Sequence, residues 1–425
     1  MSVHRFSGCL LLLGLTGSVW AQPPEGPAAS GLGRYRAVHA ALLDRGDAAA
    51  ALALLEGPEI HGDPGLLYLK AVSLARLGRR EAALALTARL EALDPGFHAA
   101  TDPEFVKLAP PPRKSGSVGT VRTVARLPLP GLFPEGLAVD AMSGRTFVSS
   151  LVEGGVLVLE PGRRPRWFLR AQLEGPWETL GLKVDPVRRL LWVASQGRPG
   201  RAGLGKGAAE RSALFALELD TGRVARRLVL PAPGRHLLND LALGGDGTVF
   251  VTDSEAGTVY RVPPGEDRFE AVLPAGSLIY PNGLVMTKDG AGLLVAASGP
   301  GLYRVDLASG SFREVQVPPG LHLQGIDGLT RLGGPTGDKS RLVAVQNGIH
   351  PGRVALLELD GSETELRAIR VLAAGQTPLE GIPTTGDLAG TAYRFIANSQ
   401  IPLLRGKGPR PRPKPFLIAE VELPD

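Results

Sequence analysis

The sequence predicts an all-β protein, a six-bladed β-propeller, with a small helical domain ahead of it. Three observations carry this. Residues 280–310 hold apolar strands at 284–286, 293–297 and 302–307, separated by Asp289-Gly290 and Ser309-Gly310, which is the turn chemistry of short antiparallel strands. The same order of polar residue, Gly or Asp, Leu or Ile, strand and turn recurs, its polar position falling at Glu135, Leu180, Asn239, Asn282, Asp327 and Glu380. Successive gaps of 45, 59, 43, 45 and 53 residues suit one four-stranded blade each, and six blades close a ring. Finally, 56 glycines and 37 prolines among 425 residues supply the many tight turns that such a fold needs.

Residues 1–21 read as a secretory signal. Arg5 gives a positive start, the apolar run over 9–19 is too short to span a bilayer, and Val19-Trp20-Ala21 offers a cleavage site. An exported chain, periplasmic or secreted, is therefore expected. Cys9 is the only cysteine, so the mature chain would have no disulfide; the apolar run follows Cys9, whereas in a lipoprotein box it precedes the cysteine. No other segment is long and apolar enough to cross a membrane.

Over 33–107 the apolar period becomes helical. Gly46 and Gly78 stand 32 residues apart, each with an alanine five residues on (Ala51, Ala83), and Asp94-Pro95 ends the second unit. This spacing resembles tetratricopeptide repeats, with about two units and without that family's tryptophan, the small residues being expected to let paired helices pack closely. Two roles stay open, a cap docked on the propeller and an adaptor for a protein partner. Residues 108–118, with Pro110-Pro111-Pro112, read as a stiff linker, and 119–425 as the propeller.

Residues 120–127 form a strand with no blade of their own, and the last blade ends in 416–423. These two are expected to pair and so remove an exposed sheet edge. Insertions at 197–212 and at the basic loop from Arg405 are placed to overhang one face, and Trp177 and Trp192 to wedge between blades.

The six polar positions each stand just before an innermost strand, so radial symmetry points them at one mouth of the central channel. Five of the six are oxygen donors, a set that with waters suits a hard cation taking about six to eight oxygen ligands. With no His or Cys in the set, zinc is disfavoured. The alternative is that Glu-Gly, Asn-Gly and Asp-Gly simply cap strands as turn residues. His236, His322 and His350 lie near the mouth in sequence and are candidates for proton shuttling. Net charge is only +5, with the basic residues gathered in loops 198–211 and 405–414 and no interleaved aromatics, so no nucleic-acid partner is expected.

The stretches 134–140, 239–243, 281–286 and 326–329 resemble the calcium-binding turns of the SMP-30, gluconolactonase and luciferin-regenerating-enzyme family and, more distantly, those of paraoxonases and diisopropyl-fluorophosphatase. The resemblance runs from Val121 to the C-terminus and leaves out the helical region. It implies a catalytic Ca2+, or another divalent cation, held by Glu135, Asn239, Asn282 and Asp327. Asp240 and His236 would then meet the substrate. Glu380 enters from the repeat alone. Two departures stand out: the arginine that gluconolactonases carry two residues before the third-blade asparagine is here Leu237, and the second-blade histidine of paraoxonases is Leu180.

The activity this implies is calcium-dependent hydrolysis of a small-molecule lactone or ester, the cation stabilising the oxyanion and Asp327 or Glu380 acting as base. Two other readings remain: a non-catalytic exported binding module with a structural cation, and lyase chemistry on the same scaffold.

Overall fold

The computed structural model describes residues 34–424 apart from 36, 57–63, 94–96, 98, 103, 109–118, 171–176, 200–204, 207–208, 299–300, 319–320, 334–339, 350, 376–380 and 405–411. Residues 1–21, the linker core, His350 and Glu380 therefore lie outside the described residues. Strand β1 (Val121–Leu127) leads into blade one, made of β2 (Leu137–Asp140), β3 (Arg145–Ser149), β4 (Val156–Leu159) and β5 (Arg166–Leu169). Blade two is β6 (Glu178–Asp185), β7 (Leu190–Gly197), β8 (Arg211–Glu218) and β9 (Val224–Val229). Blade three is β10 (Leu238–Leu243), β11 (Val249–Asp253), β12 (Thr258–Val262) and β13 (Glu270–Ala271). Blade four is β14 (Leu284–Met286), β15 (Gly292–Ala297), β16 (Gly301–Asp306) and β17 (Phe312–Glu314). Blade five is β18 (Ile326–Leu332), β19 (Ser340–Gln346), β20 (Arg353–Leu359) and β21 (Leu366–Ala374). Blade six takes β22 (Gly386–Ala389), β23 (Ala392–Ile396) and β24 (Phe416–Glu422), and β1 completes it in the order β1-β24-β23-β22.

The six four-stranded sheets are a propeller because their first strands touch in a closed circle, β2 to β6, β10, β14, β18, β22 and back to β2. Middle strands are covered on both faces by neighbouring blades, and they read as unbroken apolar runs: β15 is buried throughout. Outer strands face solvent on one side and alternate, as β9 does. Trp177 wedges as expected, packing edge-to-face on Phe215 within a cluster that joins blades one and two.

The first strands approach so closely that several leave no space for a Cβ. A methyl on Gly136 would sit 2.0 Å from the Leu180 carbonyl, on Gly181 2.4 Å from the Asn239 carbonyl, on Gly283 2.6 Å from the Asp327 carbonyl and on Gly328 2.9 Å from Thr385 Cα. In blades one, two, four and five the glycine after the ring position thus answers to the neighbouring blade, and the strand-capping account of these dipeptides is not needed. The same contacts set the register of blade six. Gly328 meets Thr385, so the sixth position of the ring is Thr384, four residues beyond Glu380. Thr385 Oγ1 then donates to the Glu135 carbonyl at 2.8 Å and accepts from Leu137 N at 3.1 Å, returning the circle to blade one.

Closure of blade six follows the expected pairing. Leu127 lies opposite Phe416 and Val121 opposite Val421, with a bulge between Thr123 and Ala125. Glu420 joins the strands from the side, paired with Arg122 and Arg394.

The helical region holds a π-helical turn at Ala40–Asp44, then α1 (Ala48–Leu54), α2 (Pro64–Arg76) and α3 (Arg80–Leu93). Asp47 caps α1 by accepting from Ala50 N at 2.9 Å. Arg76 ties the region together, with one guanidinium edge on Glu104 and Nη1 on the Leu42 carbonyl at 3.0 Å. The tetratricopeptide expectation is not supported. Besides the helical residues 34–35 and 37–44, the described residues hold one short helix and one helical hairpin, and Gly46 and Gly78 take left-handed turns (φ 67° and 73°) with open space where a Cβ would sit. They end helices and do not let them pack closely. Tyr35, helical and buried, accepts a hydrogen bond from Gln324 Nε2 at 2.7 Å, so the region contacts the propeller beside blade five.

Leu127 is fully buried in the closing strand. Leu127→Ala is expected to lower the unfolding free energy by about 2–5 kcal/mol in a denaturant titration. A cost no larger than that of Arg126→Ala, next to it and exposed, would remove β1 from the closure.

Candidate metal and substrate site

The ring residues stand where the chain enters each first strand. In blades two, three and five the pairing register shifts across that residue, between Thr179 and Leu182, Leu238 and Leu241, and Ile326 and Gly328. Such a bulge adds an unpaired residue and re-aims its side chain. Leu180, Asn239 and Asp327 are turned this way.

Two amides are fixed by what their nitrogens do. Asn239 Nδ2 donates to Ser254 Oγ at 2.9 Å, which itself donates to the Pro281 carbonyl at 2.6 Å. Asn282 Nδ2 donates to Asp327 Oδ1, while Asn347 Nδ2 donates to Asp327 Oδ2 and to the Pro383 carbonyl. The asparagine oxygens are left over. Among the described residues Asn239 Oδ1, Asn282 Oδ1, Glu135 Oε2 and Thr384 Oγ1 are all buried without a hydrogen-bond partner. Each such atom costs about 1–3 kcal/mol if nothing meets it, and four on one ring, in blades one, three, four and six, point to a shared partner. A hard divalent cation fits this mixed carboxylate, amide and hydroxyl set. Carboxylates alone do not make it: no group of three His, Cys, Asp or Glu side chains among the described residues is placed to hold a metal.

Electrostatics agree. Burial lifts Glu135 well above the ordinary glutamate range, and the charges of Asp327 and Asp240 add to the lift. Burial also raises Asp327 to about 7, with Asp240 adding to it and the hydrogen bonds from Asn347 and Asn282 opposing it. Asp240 is raised to about 7, again chiefly by burial, with Lys183 opposing and Asp387 adding. It faces these two groups in the channel.

His236 has a different task from the expected substrate contact. Its Nδ1 lies 2.6 Å from Asp253 Oδ2 and its Nε2 3.1 Å from the Pro233 carbonyl, so both ring nitrogens are occupied. The Asp253 hydrogen bond raises its pKa, and Asp253 also accepts from Leu237 N and Ala256 N. This is a clamp on the loop before Asn239. His322 lines a cleft between the helical region and the propeller.

Sequence reasoning missed three contributors. Thr384 escaped because no glycine follows it. Asn347 and Ser254, which orient Asp327 and Asn239, occupy the same place one residue past the second strand of their blades. Ser150 and Ser298 stand there too, a second polar repeat that the same overlay would have shown.

Without a cation, the carboxyls set a pH dependence. Asp327 and Asp240 move from 3.8 to about 7 on folding, so between those values the folded chain holds protons that the unfolded chain has lost. Their contribution is full below about 4 and is lost as pH rises through about 7. In chelator the melting temperature should therefore fall across this window, and calcium should restore it most at the alkaline end. Asp327→Asn should flatten the slope. A wild-type slope that survives saturating calcium unchanged would argue against this cluster as its source.

Comparison with known proteins gives the following. No known protein-family profile matches the chain. A virginiamycin B lyase of Nocardia farcinica is 29% identical over 185 residues, which are 39% of this chain and 64% of that protein, so the match spans less than two thirds of the relative. Among solved structures, a gluconolactonase from Xanthomonas campestris aligns over 74% of this chain and 99% of its own, with TM-score 0.47 and 16% identity. A luciferin-regenerating enzyme aligns over 72% and 96%, with TM-score 0.48 and 11% identity. A streptogramin B lyase aligns over 73% and 100%, with TM-score 0.45 and 13% identity. Among the described residues no helix is long and apolar enough to cross a membrane.

Proposed function

We propose that the chain is an exported, divalent-cation-dependent hydrolase of a lactone or ester, working at the mouth of the propeller. The observation that carries this is the set of four buried, unpartnered oxygens on Glu135, Asn239, Asn282 and Thr384 beside Asp327. Glu135, Asn239, Asn282 and Asp327, with Thr384, would hold the cation, and calcium suits their hard oxygen atoms. When bound, the cation polarises a carbonyl oxygen. The rest of the chemistry belongs to the chain. Asn282 and Asn347 hold the two oxygens of Asp327, so this carboxylate is oriented and can take a proton from an attacking water. Glu380, the other base considered, lies outside the described residues.

A lyase is the second reading, favoured by the likeness to virginiamycin B lyase. Mass separates the two: hydrolysis of a cyclic ester gives a hydroxy acid heavier by one water, whereas elimination gives an unsaturated acid isomeric with the substrate. A non-catalytic binding module would give neither product.

The test is a panel of lactones and aryl esters with and without chelator. Turnover is expected to vanish in chelator and return with calcium. Asp327→Asn should lower kcat by about 100-fold or more. Thr384→Val and Asn282→Ala should raise the calcium needed for half-maximal activity. Wild-type turnover equal to buffer across the panel would overturn the hydrolase.

A further inference from the structure

The helical region and blades four and five enclose a cleft that the ring does not use. Tyr68, Leu69 and Phe97 line its helical wall, and Ile349, Gly325 and Gly348 belong to the propeller wall. The cavity within the cleft has a volume of about 60 Å³. The cleft is thus a narrow slot. Among the described residues that line it none is Asp, Glu, Lys or Arg, and burial keeps His39, on the helical wall, neutral by drawing its titration down to about 4. Such a slot suits a thin, uncharged, apolar group better than a polyol or a sugar acid.

The propeller wall of the slot leads along the chain into the ring. Gly325 is two residues before Asp327, and Gly348 follows Asn347, which holds Asp327 Oδ2. The two glycines pack so tightly that a Cβ on either would come within 2.5 Å of the other's Cα. The opposite wall is latched by Gln324, whose Nε2 donates to Tyr35. A Cβ on Gly65 of α2 would fall 1.6 Å from that same nitrogen, so glycine there makes room for the latch.

We propose that this slot takes the unbranched alkyl tail of a ligand whose carbonyl head sits at the ring, which makes the substrate class a lactone or ester with an apolar substituent. This rests on the reading of the ring given above. The helical region then determines specificity, and Gln324 is a positioning residue for the wall.

Binding can be measured apart from turnover with cyclic ketones, which cannot be hydrolysed. Calorimetric titration of the calcium-loaded full chain should show 2-heptylcyclopentanone binding at least tenfold tighter than cyclopentanone, the gain from about two buried methylenes. Ser298→Phe, which adds bulk to the propeller wall, should reduce that preference at least fivefold, while Met142→Ser on an exposed turn should keep it. Gly65→Ala displaces Gln324 and provides a second variant should Ser298→Phe not fold; it should shift the heptyl preference at least threefold and leave cyclopentanone affinity alone. Equal affinity for the two ketones in the wild type, or a preference untouched by the slot variants that fold, overturns the slot. Parallel assays of γ-butyrolactone and γ-undecalactone separate this from the hydrolase. A slot-dependent heptyl preference without turnover of either lactone removes the hydrolase and keeps the slot; turnover of both at equal kcat/KM with no heptyl preference does the reverse.

Discussion

The structure depends on how near its six innermost strands come to one another. At Gly136, Gly181, Gly283 and Gly328 the neighbouring blade's backbone occupies the volume of a side chain. This contact fixes the residue type there, and it also fixes the residue before it, which must turn into the channel because the next residue is locked against a neighbour. Bulges at Leu180, Asn239 and Asp327 belong to the same geometry. A packing requirement on glycine thereby creates a circle of inward side chains, which supplies the place for chemistry before any choice of chemical group.

The groups chosen are unusual for a core. Three carboxyls and two amides share a buried space in which burial works against charge, and among the described residues Lys183 is the cationic side chain that acts on Asp240. Such a cluster is stable either protonated or with a cation, and the orientation of the amides, with nitrogens turned away and oxygens inward, prepares it for the second state. The helical region bears on the same place from above, through loops that lead directly into Asp327 and Asn347.

Much of this was legible in the sequence because steric demand leaves a spaced signature. Glu135, Asn239, Asn282 and Asp327 each precede Gly or Asp and then Leu, and the structure brings them to one ring. Blade six breaks the signature. It enters its strand through Thr385, whose hydroxyl bridges back to blade one, so no glycine marks Thr384. Glu380-Gly381 imitates the motif four residues early; Gly381 has its own reason, since a Cβ there would lie 2.4 Å from that of Asn398. Other features were illegible in principle. Whether His236 faces a ligand or Asp253 depends on a partner 17 residues away, and the Tyr35 contact with Gln324 joins positions 289 apart. No local pattern encodes either.

Blade six is built from both ends of the propeller sequence, with Arg122 and Glu420 separated by 298 residues. A chain emerging from the ribosome folds its early parts first, yet here blades one to five cannot close into a circle until the last strand arrives. Thr384 and Thr385 join Glu135 only then. The candidate site is thus complete only when the last blade has closed the circle. If a cation fills it, as proposed, the ions present where the circle closes bear on the choice as much as affinity does.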